Sequence, residues 1–137
     1  MPAADYGAAL PPLTVNLIVR DVAAALPFYR DALGAIVRHA DEDFAALVLR
    51  GVDVMLHADH TYEHHPWREA LATDGPRGVG AELRLFGVDP DAIAARTAAA
   101  GGVVLAPAVD KPHGWREAWI ADGDGYVWAV GRAIPSA

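Results

Sequence analysis

Leu13-Thr14-Val15-Asn16-Leu17-Ile18-Val19, then Asp21, then Val22, Ala25, Leu26, Tyr29 and Leu33 at helical spacing, then Gly34: this stretch decides the fold. Alternating apolar residues predict a half-buried strand, Asp21 a helix N-cap, and Gly34 the helix stop. Ala35 to His39 then reads as a second strand. The grammar returns 68 residues on, from Asp21 to Asp89. Ala81-Glu82-Leu83-Arg84-Leu85-Phe86 alternates again, and Pro90 occupies the first helical position, where its missing N–H is harmless. An alanine-rich helix runs to Gly101, Gly102 falls on Gly34, and Val103-Val104-Leu105 starts the next strand. Pro27 lies inside the first helix and should bend or interrupt it.

Both copies close with a hairpin. Phe44 to Leu49 turns at Arg50-Gly51 into Asp53 to His57, and Trp115 to Ala121 turns through Asp122-Gly123-Asp124-Gly125 into Tyr126 to Val130. Gly51 to Gly125 is a shift of 74, so the second copy carries 74 − 68 = 6 extra residues, placed around Ala108 to Gly114. The chain is therefore expected to be α+β, two tandem β-α-β-β-β modules related by a pseudo-twofold. Residues 1–12 read as a flexible arm, 13–57 as the first module, 58–79 as a connecting loop, and 80–137 as the second module with its tail.

Composition narrows the function. In 137 residues, 53% are hydrophobic and 21% charged, which suits one compact domain and rules out a disordered chain. No apolar run approaches the ~18 residues of a membrane span, and the first dozen residues lack the basic and apolar parts of a secretory signal. The net charge of −7, with Lys111 the single lysine, argues against nucleic acid and anionic membrane as partners. Cysteine is absent, which excludes disulfides and thiolate sites and fits a cytoplasmic location. Ser136 is the only serine, so a Ser/His/Asp triad is not credible, and no glycine-rich phosphate cradle is present.

The strand leading to Asp21, the helix with Phe28-Tyr29-Arg30 and Leu33-Gly34, and the closing Asp-Gly-Asp-Gly-Tyr turn resemble the vicinal-oxygen-chelate superfamily. That group comprises glyoxalases, extradiol dioxygenases and bleomycin resistance proteins. The resemblance spans about residues 13–131, and Trp115-Arg116-Glu117 running into the turn looks most like the bleomycin-resistance branch. It implies strands forming a deep, cupped mixed sheet around a ligand cavity, with modules pairing across a homodimer. It also implies metal ligands on the first and last strands of each module, at Thr14, Met55, Glu82 and Ala129. Only Glu82 is a plausible ligand, and His57, two residues along its strand, adds a second, short of the usual three. No metal and no cofactor are therefore expected.

Alternation sorts the strands by face. Leu13, Val15, Leu17, Val19, Leu83, Leu85, Val54, Leu56, Trp128, Val130, Ala118 and Ile120 are expected under the helices. Thr14, Ile18, Met55, Val127 and Ala129 then face the cup, along with the candidate ligand-binding residues Asn16, His57, Glu82, Arg84, Phe86, Trp115, Glu117 and Trp119. Aromatic rings beside carboxylates suit a planar or cationic compound. Each of the eight also has a structural reading: core or interface tryptophans, a half-buried histidine, and ion pairs of Glu82 and Glu117 with Arg84 or Arg116. His60, His64 and His65, with Asp59 and Glu63, read as a solvated loop, from which Tyr62 and Trp67 could cover a ligand. The expected function is a metal-independent protein sequestering an aromatic or cationic small molecule, such as an antibiotic. The alternative is an isomerase, lyase or dioxygenase using Glu82, Glu117 or His57 as acid, base or metal ligand.

Overall fold

Val15–Val19 forms β1, and Asp21 caps the next helix as expected, its side chain accepting from the Ala24 N–H at 3.0 Å. A computed structural model describes residues 3–135. Pro27 ends helix α2 (Val22–Pro27) as an α-helix but does not break the rod, which widens into a π-helical turn over Phe28–Ala32. The missing proline N–H removes one rung of the ladder, and the wider turn accommodates the loss. Gly34, at φ +79°, stops it. Strands β2 (Ile36–Ala40), β3 (Phe44–Leu49) and β4 (Val52–Ala58) complete a four-stranded mixed sheet in the order β1-β4-β3-β2, with β1 parallel to β4.

The second module repeats this with β5 (Glu82–Phe86), α4 (Pro90–Thr97), β6 (Val103–Asp110), β7 (Trp115–Ala121) and β8 (Val127–Ala133), in the order β5-β8-β7-β6. The Asp89 side chain caps α4 by accepting from the Asp91 and Ala92 N–H groups. Its stop is Gly101, at φ +89°, rather than Gly102, which is packed against Phe28, Thr97 and the Ala121 carbonyl. The extra residues of this copy are spread along it: β6 has 8 residues against 5 in β2, and the turn into β8 spans 122–126 against 50–51. β6 is an edge strand with two register shifts that takes in Pro107 where a ladder N–H is not needed.

The covered faces of both sheets share one core. Leu17, Val19, Val54 and Leu56 from the first sheet join Leu85, Trp128, Val130, Ala118 and Ile120 from the second, around Phe28 and Tyr29. Two expectations fail at the edges of β1: Leu13 lies before the strand and is 86% exposed, and Ile18, placed in the cup by alternation, is 2% exposed. Ile18 is covered at the rim, where its carbonyl accepts from the Tyr126 hydroxyl and from Arg77.

The Asp-Gly-Asp-Gly-Tyr turn clasps the two modules. The buried Asp122 accepts from the Tyr29 hydroxyl at 2.6 Å and from the Asp124 and Tyr126 N–H groups, while Arg20 reaches Asp124 at 3.2 Å. The connecting segment is also tied down. It holds a 3-10 turn (Asp59–Tyr62) and a short helix α3 (Arg68–Leu71), and the buried Arg77 joins Asp59 to the carbonyls of Ile18 and Leu71. Where the sequence suggests a loose N-terminal arm, the structure has helix α1 (Ala3–Ala9).

Candidate functional site

Each sheet has an open face opposite the shared core, and the eight candidate residues divide between the two. Asn16 and His57 stand on the first sheet; Glu82, Arg84, Phe86, Trp115, Glu117 and Trp119 stand on the second. Among the described residues no hydrogen bond or ring contact joins one group to the other. The single lining expected from the sequence is thus two linings within one chain, because one core consumes the covered faces of both sheets.

On the first sheet, Asn16 of β1 and His57 of β4 are brought together by parallel pairing, with Asn16 beside Met55 and Ile18 beside His57. His57 Nδ1 donates to Asn16 Oδ1 at 2.6 Å, and Asn16 Nδ2 donates to the Tyr62 hydroxyl at 2.7 Å. This bond fixes the proton on Nδ1 and leaves Nε2 with its lone pair. Partial burial pushes the His57 pKa below its ordinary value, so the ring is neutral at pH 7. Phe44, directly across the β3–β4 ladder, stacks on His57 with centroids 5.6 Å apart, and His39 stacks on Phe44 at 4.7 Å. Beyond Tyr62, His65 and Trp67 extend the line of rings.

On the second sheet a buried carboxylate organises the face. Glu117, 2% exposed, accepts from Trp119 Nε1 at 2.6 Å and Arg84 Nη2 at 3.0 Å, with His113 Nε2 at 3.4 Å. Arg84 also donates to Glu82 at 2.9 Å and lays its guanidinium 4.7 Å from the centre of the Trp115 ring. Phe86 lies against that ring at 4.6 Å, and Lys111 sets its ammonium 4.4 Å from the centre of Trp119. Trp115 has this position because β8 carries Gly131 behind it: a Cβ there would come within 2.9 Å of the indole. Arg116 takes no part, pairing instead with Asp91 and Asp110. Phe86 and Trp119 stay 51% and 38% exposed, so the face presents apolar ring surface beside carboxylates that are paired internally.

A sequence profile of the Glyoxalase/Bleomycin resistance protein/Dioxygenase superfamily matches residues 12–130. The chain belongs to that superfamily. A protein of Mycobacterium bovis, Mb0911c, is 29% identical over 130 residues, covering 90% of this chain and 84% of its own. A superfamily enzyme of Burkholderia phytofirmans PsJN superposes with a TM-score of 0.73 at 19% identity, covering 88% of this chain and 97% of its own. A glyoxalase-related enzyme of Fulvimarina pelagi gives 0.69 at 22% identity, covering 90% and 88%. The structural similarities show the same fold.

The donor set does not fit the metal centre associated with this superfamily. Of Thr14, Met55, Glu82 and Ala129, only Glu82 is a metal-binding group of the right kind, and Arg84 engages its carboxylate. His57, counted with Glu82 from the sequence, belongs to the other sheet. The histidine-rich connection assembles no alternative: His60 pairs with Asp43, Asp59 with Arg77, and His65 stacks between Tyr62 and Trp67.

Several groups at these faces lie outside the candidate set. Phe44 hides in a strand that reads Phe-Ala-Ala-Leu-Val-Leu, apolar throughout and without visible alternation. Lys111 and His113 come from the loop before β7, where only the turn geometry aims them at the face. Tyr62, considered as a cover, bonds directly to Asn16.

Proposed function

We propose that the protein binds and sequesters an aromatic small molecule without using a metal, and that it does so as a cytoplasmic homodimer. The carrying observation is the open face of the second sheet, where Phe86, Trp115 and Trp119 present partly exposed rings held by the buried Glu117. An aromatic ligand is favoured over a cationic one, because Arg84 and Lys111 already sit over Trp115 and Trp119 and would repel a second cation. An antibiotic with a planar ring system is a ligand of suitable chemistry. Two open faces that one chain leaves facing away from its core, and apolar side chains exposed on edge strand β6 (Val103, Leu105 and Val109), support the dimer. No helix among the described residues is long and apolar enough to cross a membrane.

Tryptophan fluorescence tests the reading with the neutral quencher 1-nitronaphthalene and the cationic N-methylquinolinium. Saturable quenching by the neutral compound at lower concentration than by the cation is expected, weakened by ~1–3 kcal/mol in Trp119→Ala and unchanged in Trp128→Phe, whose ring is in the core. Linear, unsaturable quenching, or dependence on Trp128 instead of Trp119, contradicts it. Light scattering should give the mass of two chains at micromolar concentration.

The His57 group favours a second reading, an enzyme of the isomerase or lyase type. A neutral imidazole with its tautomer set by Asn16 and a phenol at its side is a competent acid–base pair. Turnover of a carbonyl compound that disappears in His57→Phe would select this reading.

A further inference from the structure

Helix α1 carries none of the candidate residues, yet it closes a cavity of 460 Å³ against the first sheet. Tyr6 and Leu10 form one wall, and Arg38, Phe44, Ala46 and Asp53 the other. The volume falls within the ~300–1,000 Å³ of small-molecule sites. The Tyr6 hydroxyl is buried and has no hydrogen-bond partner among the described residues, so a polar group is held out of water with nothing to meet it. Burial first, and Asp53 second, hold this phenol above its ordinary pKa, with Arg38 acting in the opposite sense; both charges therefore lie near the hydroxyl. Neither Arg38 nor Asp53 has an ion-pair partner among the described residues. His39 differs, since Asp41 already engages its ring at 2.7 Å.

A chamber lined by one unpaired cation, one unpaired anion and the apolar surface of Leu10, Phe44 and Ala46 is complementary to a ligand carrying both charges. We infer that the cavity under α1 binds a small zwitterion with an apolar body, of the α-amino acid class. Its carboxylate meets Arg38, its ammonium meets Asp53, and its side chain lies among Leu10, Phe44, Ala46 and the Tyr6 ring. A monoacid would leave Asp53 unmatched, and a monoamine would leave Arg38 unmatched. Helix α1 is then a lid that contributes a ligand contact of its own. The site lies on the first sheet and does not depend on a ligand at Trp119, so either can fail without the other.

Calorimetric titration of the full chain with L-phenylalanine, 3-phenylpropionate and 2-phenylethylamine tests the inference, since the last two each lack one charge. L-Phenylalanine should bind saturably and about tenfold more tightly than either analogue, the scale of one charge-assisted hydrogen bond. Asp53→Asn should erase its advantage over 3-phenylpropionate, and Arg38→Met its advantage over 2-phenylethylamine. Deletion of residues 1–12 should abolish binding while circular dichroism shows the fold intact. No saturable binding of L-phenylalanine, equal affinity for all three compounds, or indifference to Arg38→Met and Asp53→Asn overturns the inference.

Discussion

The two open faces come from one repeated pattern of strands, yet different interactions hold them. The first is neutral and stacked: a carboxamide joins an imidazole to a phenol, and Phe44 and His39 continue the column. The second is ionic, with Glu117 buried beneath a guanidinium, an indole N–H and an imidazole. The covered faces have not diverged in this way, since both are apolar and meet in one core. The repeat therefore constrains the side of each strand that must be buried and leaves the other free to acquire chemistry. The consequence differs in kind as well. The first face ends in an imidazole lone pair, whereas the second pairs both of its carboxylates internally and offers ring surface.

The largest expected difference is in stability. Glu117→Leu strands the Trp119 N–H and half of the Arg84 pairing, and should cost about 2 kcal/mol by urea unfolding; the exposed part of Arg84, which water can solvate, keeps the value below that of a fully buried pair. Asn16→Leu should cost about 1 kcal/mol, because Tyr62 and His57 are half-exposed and water can replace the carboxamide. A reversed order would mean that the first face, not the second, depends on its polar core.

The smallest effect concerns pH, and one histidine of the first module and one of the connecting segment should move oppositely. Burial lowers the pKa of His57, so its contribution to stability is complete above the ordinary histidine value of about 6.5 and is lost as pH falls through its depressed value. Asp43 raises the pKa of the exposed His60, so that pair is intact below 6.5 and is lost as pH rises through the raised value. Titration of the imidazole proton resonances should place the His57 midpoint below that of His60. Coincident midpoints would remove the desolvation assigned to His57.

Much of this was legible from sequence where a period was visible. Asp21 and Asp89 cap their helices, and Leu85, Ile120 and Trp128 lie in the core, because strand and helix spacings repeat cleanly around them. Legibility fails where the period is silent or broken. Phe44 sits in an unbroken apolar run, Pro107 lies within an edge strand although proline is not a strand signal, and Arg77 is a buried cation among loop residues. Helix α1 had one signal, the high helix propensity of Ala3, Ala4, Ala8 and Ala9, outweighed by Pro11-Pro12 and by its place at the chain end. The division of the site between two sheets could not be read from any strand alone, because it depends on how the modules share a core.

Whether the ring surface over Glu117 binds an aromatic ligand without a metal is tested most directly by a calorimetric titration of 1-nitronaphthalene into protein purified without a histidine tag. The measurement is made with and without excess chelator, and again after loading with zinc. Saturable binding of equal affinity in all three conditions is the expected result. Binding that vanishes with chelator and returns with zinc would contradict the claim and move Glu82 from an ion pair with Arg84 to a metal ligand.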